Sequence, residues 1–108
     1  MKAIFVQKGE TLYYTPSEDV APGSVVSLGT RIGVAAAGIP AGQQGTLQME
    51  GIFRLTKAES DTAEMGDALY YDKEADVITT TADSNIPAGY AAAPASENDA
   101  TVLVKLLG

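Results

Sequence analysis

The stretch "IPAGQQGTLQMEGIFRL", Ile39 to Leu55, reads as extended chain interrupted only by turn residues. Ile39-Pro40-Ala41-Gly42 is a turn, because Pro40 holds φ and Gly42 relieves the bend. Thr46, Gln48 and Glu50 then alternate with Leu47, Met49 and Gly51, which is the period of a half-buried strand. Ile52, Arg54 and Thr56 alternate with Phe53 and Leu55. Gly51 marks a bulge or bend between the two halves. The segment therefore reads as one long bent strand of a small barrel, with Met49, Phe53 and Leu55 as core candidates.

The same texture extends in both directions. Short runs rich in Val, Ile, Thr and Tyr are separated by Gly, Pro, Asn and Asp, so the fold class is all-β. "AIFVQ" and "TLYYT" read as the first two strands, joined by a tight turn at "KGE" in which Gly9 takes positive φ. "PSEDVAPG" is a loop. "SVVSLG" and "RIGVAAAG" are strands, and Gly33 inside the second marks a bulge or a close backbone approach. "AESDTAEMGD" holds the one plausible helical turn, too short and polar to stand alone. "ALYYD" and "DVITTT" form a hairpin around "DKEAD". "GYAAAPASENDA" is a short strand followed by a loop. In the last strand, "ATVLVKLL", Val102, Val104 and Leu106 face one way and Leu103, Lys105 and Leu107 the other. Apolar residues on both faces suit a central strand.

A loose echo recurs in "VAPGSVVSL", "IPAGQQGTLQ", "AEMGDALYY" and "IPAGYAAAP". Each has an apolar or small residue, then two residues, then Gly, then a strand start. The irregular spacing argues for one kind of turn reused at successive corners rather than for a solenoid.

The length, 108 residues, fits a single domain spanning 1–108. Such a domain buries roughly two-thirds of its unfolded surface, enough for a core without staples. The chain has no Cys, His or Trp. A disulfide framework and a thiolate metal site are therefore excluded, as are a histidine base and the ordinary Ser-His-Asp triad. Fourteen acidic residues against seven basic ones give a net charge of −7. The basic residues are scattered from Lys2 to Lys105, which disfavours nucleic acid as a partner. The negative field equally opposes an anionic membrane, and it favours solubility at high copy number. No apolar run reaches the length of a membrane span, and the four-residue run Ala3 to Val6 is short for a signal peptide. The expectation is a soluble chain made in the cytoplasm.

Candidate chemistry is sparse. Asp72, Glu74 and Asp76 alternate, with Asp83 at the twelfth position, like the start of a calcium loop. The sixth position is Val77 where such a loop needs Gly, and the flanks are strands, so a charged hairpin tip is the better reading. Lys73 on that tip resembles the modified lysine of small β carrier domains, and a carrier or ligand-binding module modified there is the alternative function. Glu50 and Asp67 lie beside apolar strands, but nothing in the sequence pairs them for acid–base work. No catalytic, cofactor or metal site is assigned, and no enzyme activity is expected. Tyr13-Tyr14 and Tyr70-Tyr71 each put one ring inward and one outward, and the outward rings suit a subunit interface.

One set of positions runs through the whole layout: Gln7, Gly9 and Leu12; then Gly29, Gly33, Val34 and Ala35; then Gly45, Gly51, Phe53, Leu55 and Lys57. Gly66, Asp67, Tyr70 and Asp72 follow, and the strand Val102 to Leu107 closes the set. In these positions the chain resembles the small capsid decoration, or cement, proteins of tailed phages and prophages. The resemblance implies a small barrel or β-clip-like subunit bound in many copies to the exterior of a phage capsid. It implies the major capsid protein as partner, a homotrimer near threefold positions, and a structural role in the virion. The expected capsid contact is the N-terminal segment, Lys2, Ala3, Ile4, Phe5 and Val6, with loops at one end of the domain. An extended apolar terminus can add a strand to an exposed sheet edge; "AIFV" can equally serve as the first core strand.

Overall fold

A computed structural model describes residues 1–107. Among these residues there is no helix. Nine strands run in chain order: β1 (Thr11–Tyr14), β2 (Ser24–Ser27), β3 (Ile32–Ala35), β4 (Gly45–Gln48), β5 (Ile52–Thr56), β6 (Ala68–Asp72), β7 (Val77–Thr79), β8 (Ile86–Ala91) and β9 (Thr101–Leu106). They form a four-stranded sheet of order β1-β4-β3-β2 and a five-stranded sheet of order β5-β9-β8-β6-β7. Every strand pair is antiparallel. The all-β expectation holds.

The segment Ile39–Leu55 is divided between the sheets. β4 lies in the first and β5 in the second, and Gly51, at φ 119°, is where the chain passes from one to the other. The expected single bent strand is thus two strands. The sheets are also not closed into a barrel. The larger one curls until its ends meet at one point, a parallel bridge between Lys57 and Ile78, with the Ala58 N–H donating to the Ile78 carbonyl at 2.8 Å. The chain leaves the strand path immediately after Lys57, so the seam stops there.

β3 is the strand on which both cores are built, and all four of its residues are buried. Ile32 and Val34 point at the larger sheet and join a core containing Leu69, Tyr71, Ile78, Val102, Val104 and Leu106. Ala35 points the other way, into a smaller core with Ile39, Leu47 and Met49. Val25 and Val26 split in the same manner between the two clusters. This is the period-two alternation of a strand covered on both faces. Gly33 belongs on the side of the smaller core. A Cβ there would lie 2.8 Å from Met49 Sδ and 3.1 Å from Leu47 Cβ. Of the three core candidates in the opening segment, Met49 is fully buried, whereas Phe53 and Leu55 are half-buried at the margin of the larger core.

The recurring turn is real at three of its four positions. Turns 21–24, 40–43 and 64–67 each close with an N–H donating to the carbonyl three residues back. Their third residues are Gly23, Gly42 and Gly66, with φ of 80°, 76° and 92°. Positive φ at that place is the type II signature, and only glycine takes it without a penalty. The residue before each turn, Val20, Ile39 or Ala63, is held in an isolated bridge, and Val20 and Ile39 bridge each other. The fourth copy, Ile86 to Gly89, is no turn and forms the first part of β8.

The hairpin β6–β7 forms as expected, and β9 lies centrally between β5 and β8. Val102, Val104 and Leu106 face the core, as the alternation requires. The segment "AESDTAEMGD" contains no helical turn. Its polar groups are organised by side chains instead, with the Asp67 carboxylate accepting the Glu64 N–H at 2.9 Å.

Candidate functional site

Residues 1–9 lie outside every strand. Pairing of "AIFVQ" with "TLYYT" does not occur; β1 pairs β4 through Thr11–Gln48, Leu12–Leu47, Tyr13–Thr46 and Tyr14–Gly45. Gly9 has the expected positive φ, 82°, but no hairpin turn closes there. Ile4, Phe5 and Val6 are 88, 82 and 84% exposed, and Lys2 and Ala3 are exposed as well. The reading of "AIFV" as a core strand is therefore overturned. The physical reason is that both cores are completed by residues from Val20 onward and by Tyr14, so neither core leaves a place for the segment. A side-chain tether, Gln7 Nε2 donating to the Thr11 carbonyl at 3.1 Å, holds the arm beside β1.

β1 itself is an edge strand with a free side. Its Thr11, Leu12 and Tyr13 are exposed, and only Tyr14 packs inward, against the smaller core. Arm and edge are thus continuous: a run of exposed apolar side chains leads into a strand with unpaired backbone groups on one side. The arm also differs in charge from the body. Residues 1–9 carry Lys2 and Lys8 and no acid, while the remaining residues carry five basic and all fourteen acidic groups.

The hairpin tip is occupied by its own hydrogen bonds. Asp72 Oδ1 accepts the N–H groups of Glu74 (3.1 Å) and Ala75 (3.2 Å). Asp76, in the left-handed region at φ 56°, accepts the Tyr71 hydroxyl at 2.6 Å. Burial raises the Tyr71 phenol above its ordinary pKa, reinforced by the hydrogen bond and charge of Asp76 and by the charge of Asp72. The ring therefore stays protonated and donates. No group of three or more acidic side chains among the described residues lies within reach of one ion. Lys73 stands exposed at the tip, beside a shallow cleft between β2 and β5–β7 that Arg54, Tyr71 and Asp76 also line. Each tyrosine pair splits as read, with Tyr13 exposed and Tyr14 packed, Tyr70 half-buried and Tyr71 buried.

Lys57 is a residue whose role the strand pattern did not disclose. It is only 6% exposed, and its ammonium donates to the carbonyls of Ala58 (2.9 Å) and Asp61 (2.7 Å). The Asp61 carboxylate in turn accepts the Thr79 hydroxyl (2.7 Å) and the Thr80 N–H (3.2 Å). A buried ammonium needs such partners, and here they fasten loop 58–61 to β7 at the seam of the curled sheet. The side chain is structural.

No curated protein and no solved structure matches the chain. A family model described as phage cement protein matches residues 6–106, which takes in both sheets, both cores and the last residue of the apolar segment. A match over nearly the whole chain makes it a member of the phage cement protein family, whose role in the virion is structural.

Proposed function

We propose that this chain binds the outer surface of an assembled phage capsid as a trimer and stabilises the shell, with Lys2 to Val6 as its contact and the major capsid protein as its partner. The observation that carries the reading is the arm. Ile4, Phe5 and Val6 are exposed although the fold is complete without them. Burying them against a partner is favourable by about 25 cal/mol per Å² of apolar area. An arm in no strand that leads into an edge strand is suited to strand addition, in which main-chain hydrogen bonds supply affinity. Lys2 and Lys8 direct the arm toward an acidic edge.

The action is mechanical and needs no catalytic residue. Three arms on one trimer make the second and third contacts intramolecular, which strengthens attachment by orders of magnitude. A protein that binds the assembled shell but not its dissociated subunits stabilises the shell by mass action. Synthesis takes place in the host cytoplasm, and the working location is the capsid exterior.

The test uses expanded capsids assembled from the major capsid protein encoded with this chain. The full chain co-sediments with them and raises their disruption temperature, and a chain lacking residues 2–6 does neither. Equal co-sedimentation of the two chains would remove the arm from the contact, and no co-sedimentation of the full chain would remove the capsid reading.

A further inference from the structure

The outward face of the five-stranded sheet is the second unusual surface. The register places Ile52 opposite Lys105, Lys105 opposite Tyr90, and Arg54 opposite Leu103, so these side chains form adjoining rows across three strands. Ile52 is 58%, Leu107 56% and Tyr90 44% exposed, and Leu103 is half-buried. Their neighbours along each strand, Phe53, Val104 and Leu106 among them, face the core, and Ile52, Tyr90 and Leu107 stay open to solvent among the described residues. β5, β8 and β9 contain no acidic residue, in a chain that has fourteen. Glu50 and Asp99 stand only beyond the strand ends. The result is an apolar and cationic face on a strongly acidic molecule.

We infer that this face is the seat of a second copy of the chain, docked head to tail so that the acidic surface of one copy meets Arg54 and Lys105 of the next. The inference deepens the proposed trimer and rests on it for self-association; it does not depend on the capsid contact. Charge decides the geometry. A twofold dimer through this face would set Arg54 and Lys105 of one copy against the same residues of the other, and like charges at an interface oppose association. The rest of a second copy is acidic on balance, its N-terminal arm excepted, because the residues outside these two cations carry five basic groups against fourteen acidic ones. A contact between two different surfaces is heterologous, and such contacts close into rings such as trimers. Tyr90 and Arg54 are of the types that anchor interface centres.

The experiment is sedimentation equilibrium of the full chain at low and high salt, beside Tyr90→Asp, Leu107→Asp and the pair Arg54→Glu with Lys105→Glu. The wild type gives the mass of three chains, and each apolar variant gives one chain with an unchanged circular-dichroism spectrum. The charge-reversal pair dissociates at concentrations at least tenfold higher in low salt, and the difference shrinks in high salt. Amine labelling of the unmutated protein supplies a reading that no folding defect can confuse: Lys105 is protected in concentrated solution and reactive after dilution. A wild-type monomer at high concentration, trimeric apolar variants, or Lys105 labelling that ignores concentration would each overturn the inference. Trimeric variants that no longer co-sediment with capsids would assign the face to the shell instead. A wild type that ignores capsids, while the substitutions still dissolve its trimer, would remove the capsid reading and leave this one standing.

Discussion

Replacing Gly89 by Ala tests how tightly the five-stranded sheet is built. Gly89 lies in β8 between Leu69 of β6 and Leu106 of β9, at φ 155°. An added Cβ would stand 1.9 Å from the Lys105 carbonyl oxygen, 2.9 Å from its carbon and 3.1 Å from Leu106 Cα. All three are backbone atoms, so no side chain can swing aside. Reaching even 3.0 Å from the oxygen requires β8 and β9 to part by about 1.1 Å, which carries a bond of ordinary length past the limit for a hydrogen bond. Two or three ladder bonds around Gly89–Leu106 and Tyr90–Lys105 then fail, at about 1 kcal/mol each. Forced repacking around Ala88 and Leu106, both buried, adds about 1–3 kcal/mol. The expected loss is about 3–6 kcal/mol, a large part of the 5–15 kcal/mol typical of a domain. Urea unfolding followed by circular dichroism measures it, and with a slope of about 1.5 kcal/mol per M the midpoint falls by about 2–4 M. Gly42→Ala is the control. Its Cβ meets nothing within 4 Å, so only the left-handed φ of 76° is penalised, by about 1–2 kcal/mol. A Gly89→Ala midpoint no lower than that of Gly42→Ala would refute the steric reasoning.

Three further outcomes follow from the geometry. Lys57→Met removes the ammonium donor from the Ala58 and Asp61 carbonyls and lowers stability by about 1–3 kcal/mol in the same urea assay; a change below about 0.5 kcal/mol would show the ammonium to be dispensable. Tyr71→Phe removes the hydrogen bond to Asp76 and costs about 1–3 kcal/mol near neutral pH. Because the folded protein holds the Tyr71 proton above the ordinary tyrosine range, the unfolded chain ionises first. Wild-type stability therefore falls as pH rises through about 10, and the deficit of Tyr71→Phe shrinks there; a deficit constant from pH 8 to 11 would contradict this. Deleting residues 2–6 shifts the melting temperature by less than about 2 °C, since neither core contains them; a drop above about 5 °C would mean the arm belongs to the fold.

The parts of the fold that the sequence discloses are those governed by local chemistry. The β6–β7 hairpin, the inward row Val102-Val104-Leu106 and the Gly turns depend on period-two alternation and on φ preferences, both visible in a short window. Sheet membership is not. "TLQMEGIFRL" has the same alternation whether Gly51 bends one strand or hands the chain from one sheet to another, because the deciding partners, β3 on one side and β9 on the other, lie far away in sequence. The fourth "IPAG" shows the same limit. Ile39-Pro40-Ala41-Gly42 is a turn and Ile86-Pro87-Ala88-Gly89 is strand, although the residues are identical. What differs is the neighbour: β6 and β9 flank the second copy and hold it extended.

Lys57 and the arm were obscured for related reasons. An alternating strand ending in Lys reads as reaching solvent, and only the carbonyls that loop 58–61 brings back to it make burial possible. "AIFV" reads as core because hydrophobicity records that a residue will be buried, not in which molecule. The deciding quantity is whether the fold has an apolar surface left uncovered for the segment, and that exists only after the sheets are assembled. Here the smaller core is closed by Ile39, Leu47 and Met49 with Tyr14 and Val20 around them, and the larger one draws nothing from before Val25. An apolar arm left over from a completed fold, in a chain whose charge already favours solubility, is costly to keep unless a partner covers it. The same argument applies to Ile52, Tyr90 and Leu107 on the opposite sheet. The two surfaces differ in what surrounds them: an unpaired arm leading into an edge strand, and paired central strands with two cations on the sheet. The first suits strand addition to a lattice, and the second suits side-chain packing against a copy of the same acidic body.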